Sequence, residues 1–572
     1  MAETKETALA IATTPIEPSS ETASKSDTPK QDAGLTFARR GEQVDDATVA
    51  EDVDGFDAAR MRDRSLLTAA EEKALMRKVD WRMMTVCSLL FLLKNMDSDN
   101  ISNARIMNRG TGRNIMTQLS ISSDQYNLLT VLYYAPFIVF EAPSNLLLKR
   151  FNPSTWQSRI MISWGIALLG HVPVSNKEGI YTARFFLGLF EAGMFPGVIL
   201  QMTYWYRPDE MSLRLLYFCK SAHTQQHWKS TNWPDVLGNL SGIVSGLLSF
   251  AFDTVSGAHG LSGWQWLFLA EGLFTVVFGV AIKLKVNPKP RAAHTLASLT
   301  STAVPPTAKW LTDREKAFIQ ARLPANAPRA AEQDFKFREI VDTLKDRRLW
   351  LFTLIWATFT VGTSGVRFYQ PTVIANLGFT TIAQAQLLNL PISLLSIAVI
   401  GITGLLADNG RLPRPVYPLG VFAVVLACYG VLVAYPSNGA VYAATLIGNA
   451  FTTAFFPLMW PWRVQTTSRA TGSAFSIGFV NSYGQIGGAI GPQIFRQKYA
   501  PRYRESFASA MALVGACTLV TLMTWWVTRQ SEADTRRLKR ARVRAERAGL
   551  AVLDDVVDRD LRKSNGSASD AA

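Results

Sequence analysis

The chain has 572 residues, 48% of them hydrophobic and 18% charged, with a formal charge of +14. Charge collects in the first 82 residues, in 283–348 and after Arg529; long apolar runs such as LLTVLYYAPFIVFEAPSNLLL lie between, which argues against a series of soluble domains. Basic residues sit at the ends of those runs and in the tail, so a membrane-topology bias explains them more simply than nucleic-acid binding. Four cysteines offer neither a disulfide framework nor a metal spacing, and Cys87, Cys428 and Cys517 lie in apolar runs as packing residues.

Residues 1–80 begin with a stretch rich in Thr, Ser, Ala, Asp and Glu and predict a disordered tail; no basic-then-apolar leader pattern is visible. In lipid only a helix satisfies its own backbone, and about 20 mostly apolar residues suffice to cross. On that measure helices are predicted near 83–103, 125–147, 155–174, 180–202, 213–252 (interrupted), 264–284, 349–370, 383–406, 415–435, 440–462, 472–495 and 506–528. They form an all-α membrane protein of twelve transmembrane helices in two bundles, 81–286 and 348–528, with a central loop 287–347 and a basic tail 529–572. Within the loop, LTDREKAFIQARL has helical periodicity and reads as an amphipathic linker helix. In the tail, ADTRRLKRARVRAERAGLAVL reads as a basic helix, either solvated or lying on an anionic leaflet. The loops LLLKRF, WYRPDEMSLR, NGRLPR and PWRVQTTSR carry Lys or Arg, whereas GAHGLSG and YPSNGA carry none, which puts both termini in the cytosol. Two loops disobey: the one with Arg105, Arg109 and Arg113, and RQKYAPRYRE.

Six helices, a long central loop and six more is the layout of the major facilitator superfamily. The stretches NMDSDNISNARIMN, FEAPSNLLLKRF, ARFFLGLFEAGMFPGVI, GWQWLFLAEGL and WLTDREKAFIQARL resemble the anion:cation symporter family, in particular its fungal allantoate- and nicotinate-permease branch, over roughly residues 75–525. The resemblance implies two six-helix bundles around a midplane site, and proton-coupled transport of a small organic anion such as a vitamin, ureide or carboxylate.

Ionisable groups inside membrane helices are costly, so they tend to be paired or functional. Arg184 and Glu191 stand seven residues apart, two helical turns, on one face of the fourth predicted helix. The resemblance makes Arg184 part of the anion site and Glu191 the proton-coupled carboxylate; the plainer reading is a structural Arg–Glu pair. The first helix ends in Asp97-Ser98-Asp99-Asn100, where the family usually shows Asp-Arg, so Ser98 departs from the pattern. Arg367, in GTSGVRFYQPTVI, either supplies the missing charge as a bidentate carboxylate ligand or snorkels to the outer interface. Asp97 is the second candidate proton carrier, or caps its helix. Glu141 and Glu271 read as structural acids. Tyr133, Tyr134, Gln370, Asn389, Asn481 and Gln485 are candidate cavity-lining groups, each also explicable as a helix–helix hydrogen bond. GLLADNGRLPR resembles the superfamily's Gly-Asp-Arg loop, so Asp408 with Arg411 or Arg414 are candidate gating groups. Asn100 is a weak glycosylation acceptor by its Asn-X-Ser pattern.

One stretch fits none of this. FCKSAHTQQHWKSTNWPDVLGN, 218–239, sets Lys220, Lys229 and Asp235 in the middle of the fifth helix. Removing 219–235 joins Leu213–Phe218 to Val236–Phe252 as a single span. Cys219-Lys220-Ser221 can be encoded with a splice donor, Thr231-Asn232 with a branch point and Pro234-Asp235 with an acceptor, in a phase that keeps the frame. The block is thus either a retained intron or a genuine inserted loop, and sequencing the spliced message decides between them.

The resulting expectation is a monomeric plasma-membrane symporter with a small anionic substrate, protons and the lipid bilayer as its partners. Neither nucleic acid nor cofactor nor metal is expected. No nucleophile elbow or phosphate-binding loop appears, so enzymatic activity is not expected. The alternatives are an efflux transporter of a small metabolite and a nutrient sensor that binds without transporting.

Overall fold

The structure, a computed structural model, describes residues 37–40, 63–150, 153–207, 241–284, 305, 308, 310–323, 337–378, 387–408, 412–465 and 470–552. Its first helix, α1 (Ala69–Ala104), begins inside the stretch expected to be a disordered tail. Two things start it there. Thr68 and Glu71 form a capping box, with Thr68 Oγ accepting from the Glu71 amide at 3.3 Å and Glu71 Oε2 accepting from the Thr68 amide at 2.9 Å. Leu75, Met76 and Val79 are then buried on one side of the extension. α2 (Ser123–Arg150) and α3 (Pro153–Leu169) follow as expected.

The fourth predicted helix is broken in two, α4 (Lys177–Glu191) and α5 (Met194–Thr203). Ala192 is extended (ψ 131°) and Gly193 left-handed (φ 87°), a conformation costly for any side chain with a Cβ. A Cβ at 193 would also stand 2.2 Å from Ser144 Oγ, so glycine is required twice over. Of the fifth span only α6 (Ser241–Thr254) is described, and the polar block 219–235 lies outside the described residues. α7 (Gly263–Leu284) completes the first half.

Two short helices, α8 (Asp313–Arg322) and α9 (Phe337–Lys345), occupy the predicted central loop; α8 is the expected linker helix, capped by Thr312 with Glu315. The second half comprises α10 (Arg347–Asn376), α11 (Leu390–Asp408) and α12 (Val416–Ala434). The tenth span divides into α13 (Asn438–Thr453) and α14 (Phe455–Gln465), and the eleventh into α15 (Ala470–Gly484) and α16 (Ile486–Ile494). α17 (Arg504–Arg547) carries the last span straight into the basic tail, because no proline interrupts it. Two short strands, β1 (Phe37–Arg39) and β2 (Leu550–Val552), pair antiparallel.

Packing within each half is closest between α3 and α7 and between α2 and α4 in the first, and between α10 and both α16 and α17 in the second. The halves meet where α2 lies along α15 and α16. Gly488 makes this possible: a Cβ there would stand 2.2 Å from the Tyr134 ring of the other half. Large apolar side chains such as Val139, Ile166, Leu273, Val277, Ile402 and Leu519 face outward. Such a surface is stable only against lipid. Among the described residues seven helical spans are long and apolar enough to cross a membrane by length and composition, two of them (177–203 and 438–463) being the broken pairs α4/α5 and α13/α14.

Candidate functional site

A cavity of about 240 Å³ lies between the halves, walled by α1, α2 and α4 on one side and α10, α14 and α16 on the other. Contacts between the halves flank it on both sides. At the end away from the chain termini, Tyr369 donates its hydroxyl to Asn127 Oδ1 at 3.0 Å, and the Arg105 guanidinium stacks 4.2 Å from the Tyr369 ring. Asn127 Nδ2 donates to the carbonyls of Pro492 and Phe495, both at 3.2 Å. At the other end Asn481 donates to the fully buried Glu141 carboxylate, and Phe195 meets Trp460 at 6.4 Å between ring centres. Of the arginines that broke the charge rule, Arg109 donates across the halves to Asn376 Oδ1 at 3.1 Å, and Arg113 donates within the first half to the Ser256 carbonyl at 2.7 Å.

The wall carries Lys94, Arg184 and Arg367 against Asp97 and Asp99. Arg184 is buried beside Asp97, with Nη1 3.9 Å from Oδ1, and its guanidinium lies 5.2 Å from the Phe268 ring. Its Nε and Nη2 have no hydrogen-bond partner. Buried donors are seldom left in that state, because each forfeits its hydration without return. Trp164 Nε1 donates to Asp97 Oδ2 at 3.0 Å, which orients the carboxylate, while Oδ1 accepts no hydrogen bond.

The sequence offered a structural Arg184–Glu191 pair, and the structure has none. Glu191 is the last residue of α4, and its Oε2 accepts the Tyr133 hydroxyl at 2.5 Å, while Oε1 is buried and unpartnered. Glu191 stands behind the wall rather than in it. Arg367 does not reach for an interface; Nη2 donates to Asp99 Oδ1 at 2.8 Å across the halves, and the side chain opens into the cavity. Tyr134 and Asn481 also line it.

Gln370 and Asn389 instead face a smaller chamber of about 90 Å³, where Gln370 Nε2 donates to Asn389 Oδ1 at 2.8 Å. Asn100 is fully buried, donating to Glu271 and accepting from Ser245, so it has no exposed amide to carry a glycan. Asp408 ends α11, Arg411 lies outside the described residues, and Arg414 is held through its backbone amide by Glu532 Oε1 at 3.2 Å. The Asp408 side chain also lies outside what is described.

Sequence reasoning missed Lys94. It lines the cavity and, among the described residues, has neither an ion-pair nor a hydrogen-bond partner. The signal was present: a lysine inside the apolar run FLLKNMD, three residues before Asp97 and so on the same helix face. The described residues contain no cluster of His, Cys, Asp and Glu suited to a metal ion.

The family model described as Major Facilitator Superfamily matches residues 110–218 and 233–492, and its match breaks off within the polar block. The chain is 28% identical over 354 residues to "MFS transporter prlL" of Fungal sp. (strain NRRL 50135), covering 62% of this chain and 65% of that relative. It is 26% identical over 475 residues to "MFS-type transporter cnsO" of Penicillium expansum, covering 82% and 85%. Among solved structures, a bacterial homologue of the human lysosomal transporter Spinster, inward-facing and occupied, superposes with a TM-score of 0.54 over 79% of this chain and 97% of that one. At 14% identity that likeness speaks to the fold alone.

Proposed function

The chain belongs to the major facilitator superfamily of membrane transporters, and on that premise we propose that it carries a small organic anion into the cell together with a proton. The observation that carries this reading is Arg184, whose two unpartnered donor nitrogens stand in the wall of a cavity that also holds the free ammonium of Lys94. A guanidinium with two idle donors matches a carboxylate in a fork that no neutral cargo reproduces.

Asp97 already shares Arg184. A cargo carboxylate arriving at the same guanidinium places two anions around one cation, and a proton taken up by Asp97 or Glu191 relieves the repulsion. Lys94, Asp97 and Arg184 all act electrostatically on Glu191, so the proton site and the anion site sense one another. The inter-half contacts on both sides of the cavity are those that alternating access would break in turn. Both termini are cytosolic in this reading and the membrane is the plasma membrane, from the distribution of Lys and Arg over the loops. The family match has a gap over 219–232, so this block is an insertion relative to the family, as either a retained intron or a genuine inserted loop would be.

Uptake of a panel of labelled organic acids into cells expressing the spliced form tests the proposal. The expected result is accumulation that rises at acidic external pH and is abolished by an uncoupler. Depletion of a cargo from the cells would assign export instead, and binding without flux would overturn transport.

A further inference from the structure

Two loops break the charge rule, and the structure sets them side by side at the end of the cavity away from the chain termini. The first follows α1, whose Ser102 lines the cavity; the second follows α16, whose Pro492 lines it from the other half. Arg105 of the first loop stacks 4.2 Å from the Tyr369 ring, which lies 5.4 Å from the ring of Tyr503 in the second. The Gln497 amide of the second loop donates to Asp124 Oδ1 of α2 at 3.1 Å. One loop from each half thus stands at the same mouth.

Arg105 is buried, and its contacts with Ser123, Asn127 and Tyr369 account for it. The other basic residues differ. Arg109, Arg113, Arg496, Lys498, Arg502 and Arg504 are exposed, and among the described residues none of the six pairs with a carboxylate. Arg496 and Arg504 make no side-chain hydrogen bond, ion pair or ring contact there. The acids of this face are fewer, and most are engaged: Asp124 by Gln497, Asp253 by the Asn108 amide at 2.7 Å and Glu178 by Lys177 at 3.7 Å. Packing does not ask for these six charges, since neutral polar residues would serve an exposed loop, and membrane topology works against Lys and Arg on this side.

We infer that this rim is a collecting surface for small anions, built jointly by one loop of each half. Charges of one sign around an opening with low-dielectric walls focus their field into it, and so raise the local concentration of the opposite ion. The rim concentrates anionic solutes at the mouth before any of them meets the cavity wall. The inference rests on the anion reading above, in which this face is the outer one.

Gly112→Cys tests it. The position lies between Arg109 and Arg113, is exposed, and has open space where a Cβ would stand. Two membrane-impermeant methanethiosulfonates of similar size, one bearing a sulfonate and the other a trimethylammonium group, are applied to intact cells, with the unaltered chain as background. The ratio of their rates, divided by the same ratio for 2-mercaptoethanol, cancels thiol reactivity and reads the local charge. The anionic reagent should be favoured by about tenfold at low ionic strength. The preference should fall toward unity in about 1 M salt, where the screening length is ~3 Å. Arg496→Gln, Lys498→Gln and Arg504→Gln together, all in the loop of the other half, should cut the low-salt preference by about threefold. Equal rates from outside, as when membrane phosphates neutralise the rim, overturn the inference and leave the anion reading standing. So does a preference that the three substitutions leave unchanged. Labelling only after permeabilisation puts this face in the cytosol and overturns the topology of the uptake reading as well.

Discussion

Lys94 is a cation with nothing to hold. Arg184 has Asp97 and Arg367 has Asp99, but Lys94 faces the cavity without an ion-pair partner among the described residues. Removing its charge breaks no ion pair or hydrogen bond, although that charge does act on the nearby buried carboxylates of Asp97 and Glu191. Lys94→Gln should raise the KM for uptake by roughly 10- to 100-fold, the worth of one charge-assisted hydrogen bond. Lys94→Arg should restore most of the loss. An unchanged KM in the glutamine variant would remove Lys94 from the binding site. Arg184 offers no such clean test, because deleting it strands the buried Asp97 carboxylate and confounds binding with stability.

Among the elements, the break between α4 and α5 decides where Glu191 sits. An unbroken helix would carry the chain straight past Ser144; instead Ala192 and Gly193 turn it, and Glu191 becomes a helix end with one carboxylate oxygen on Tyr133. Gly193→Ala must adopt a left-handed backbone and push Ser144 aside. The expected cost is about 1–3 kcal/mol from the backbone alone, read as a lowered Tm of the purified chain, with uptake reduced in proportion to Glu191 displacement. A Tm equal to that of the unaltered chain would show that the turn is not required. The glycine-rich α16 acts differently: there Gly488 matters for the Tyr134 ring it admits, not for its own backbone freedom.

At the scale of the whole molecule, a polar clamp gathers segments far apart in the chain. Glu72 on the extension of α1 takes Arg322 of the linker helix α8 at 3.1 Å and pairs with Arg40 next to β1. Arg40 also donates to the Leu550 carbonyl of β2 at 3.2 Å, and Arg207 after α5 donates to the Arg322 carbonyl at 2.8 Å. Burial alone would lift the Glu72 carboxyl, but Arg322, Arg207 and Arg40 together outweigh it and hold it below the ordinary value of 4.5. A depressed folded value means that the clamp contributes its full stability above pH 4.5 and loses it as pH falls through the lower folded value. Glu72→Gln should therefore lower Tm at neutral pH, because it removes the carboxylate that Arg322, Arg207 and Arg40 surround. The difference from the unaltered chain should narrow only in strongly acidic buffer. A difference independent of pH would show that Glu72 acts by packing rather than by charge.

The sequence by itself determined the helices. Lipid forces each span to satisfy its backbone locally and to be long enough to cross, and both demands are written in consecutive residues. Apart from the fifth, only part of which is described, the spans from 125–147 to 472–495 are therefore found close to where their apolar runs place them, and the linker helix was legible from its periodicity and charge. The candidate site was legible as a set of residue types: Arg184, Asp97, Arg367, Tyr134 and Asn481 do meet in one cavity. Which of them touch was not. Helical periodicity aligned Arg184 with Glu191, but pairing across a bundle depends on how separate helices rotate and approach, so Arg184 meets Asp97 of α1 and Glu191 meets Tyr133 of α2. The tail of α1 hid its helical start because its apolar face is covered only by distant parts of the chain. Tertiary packing alone decided the partners, because the charges that define the cavity come from segments far apart in the chain.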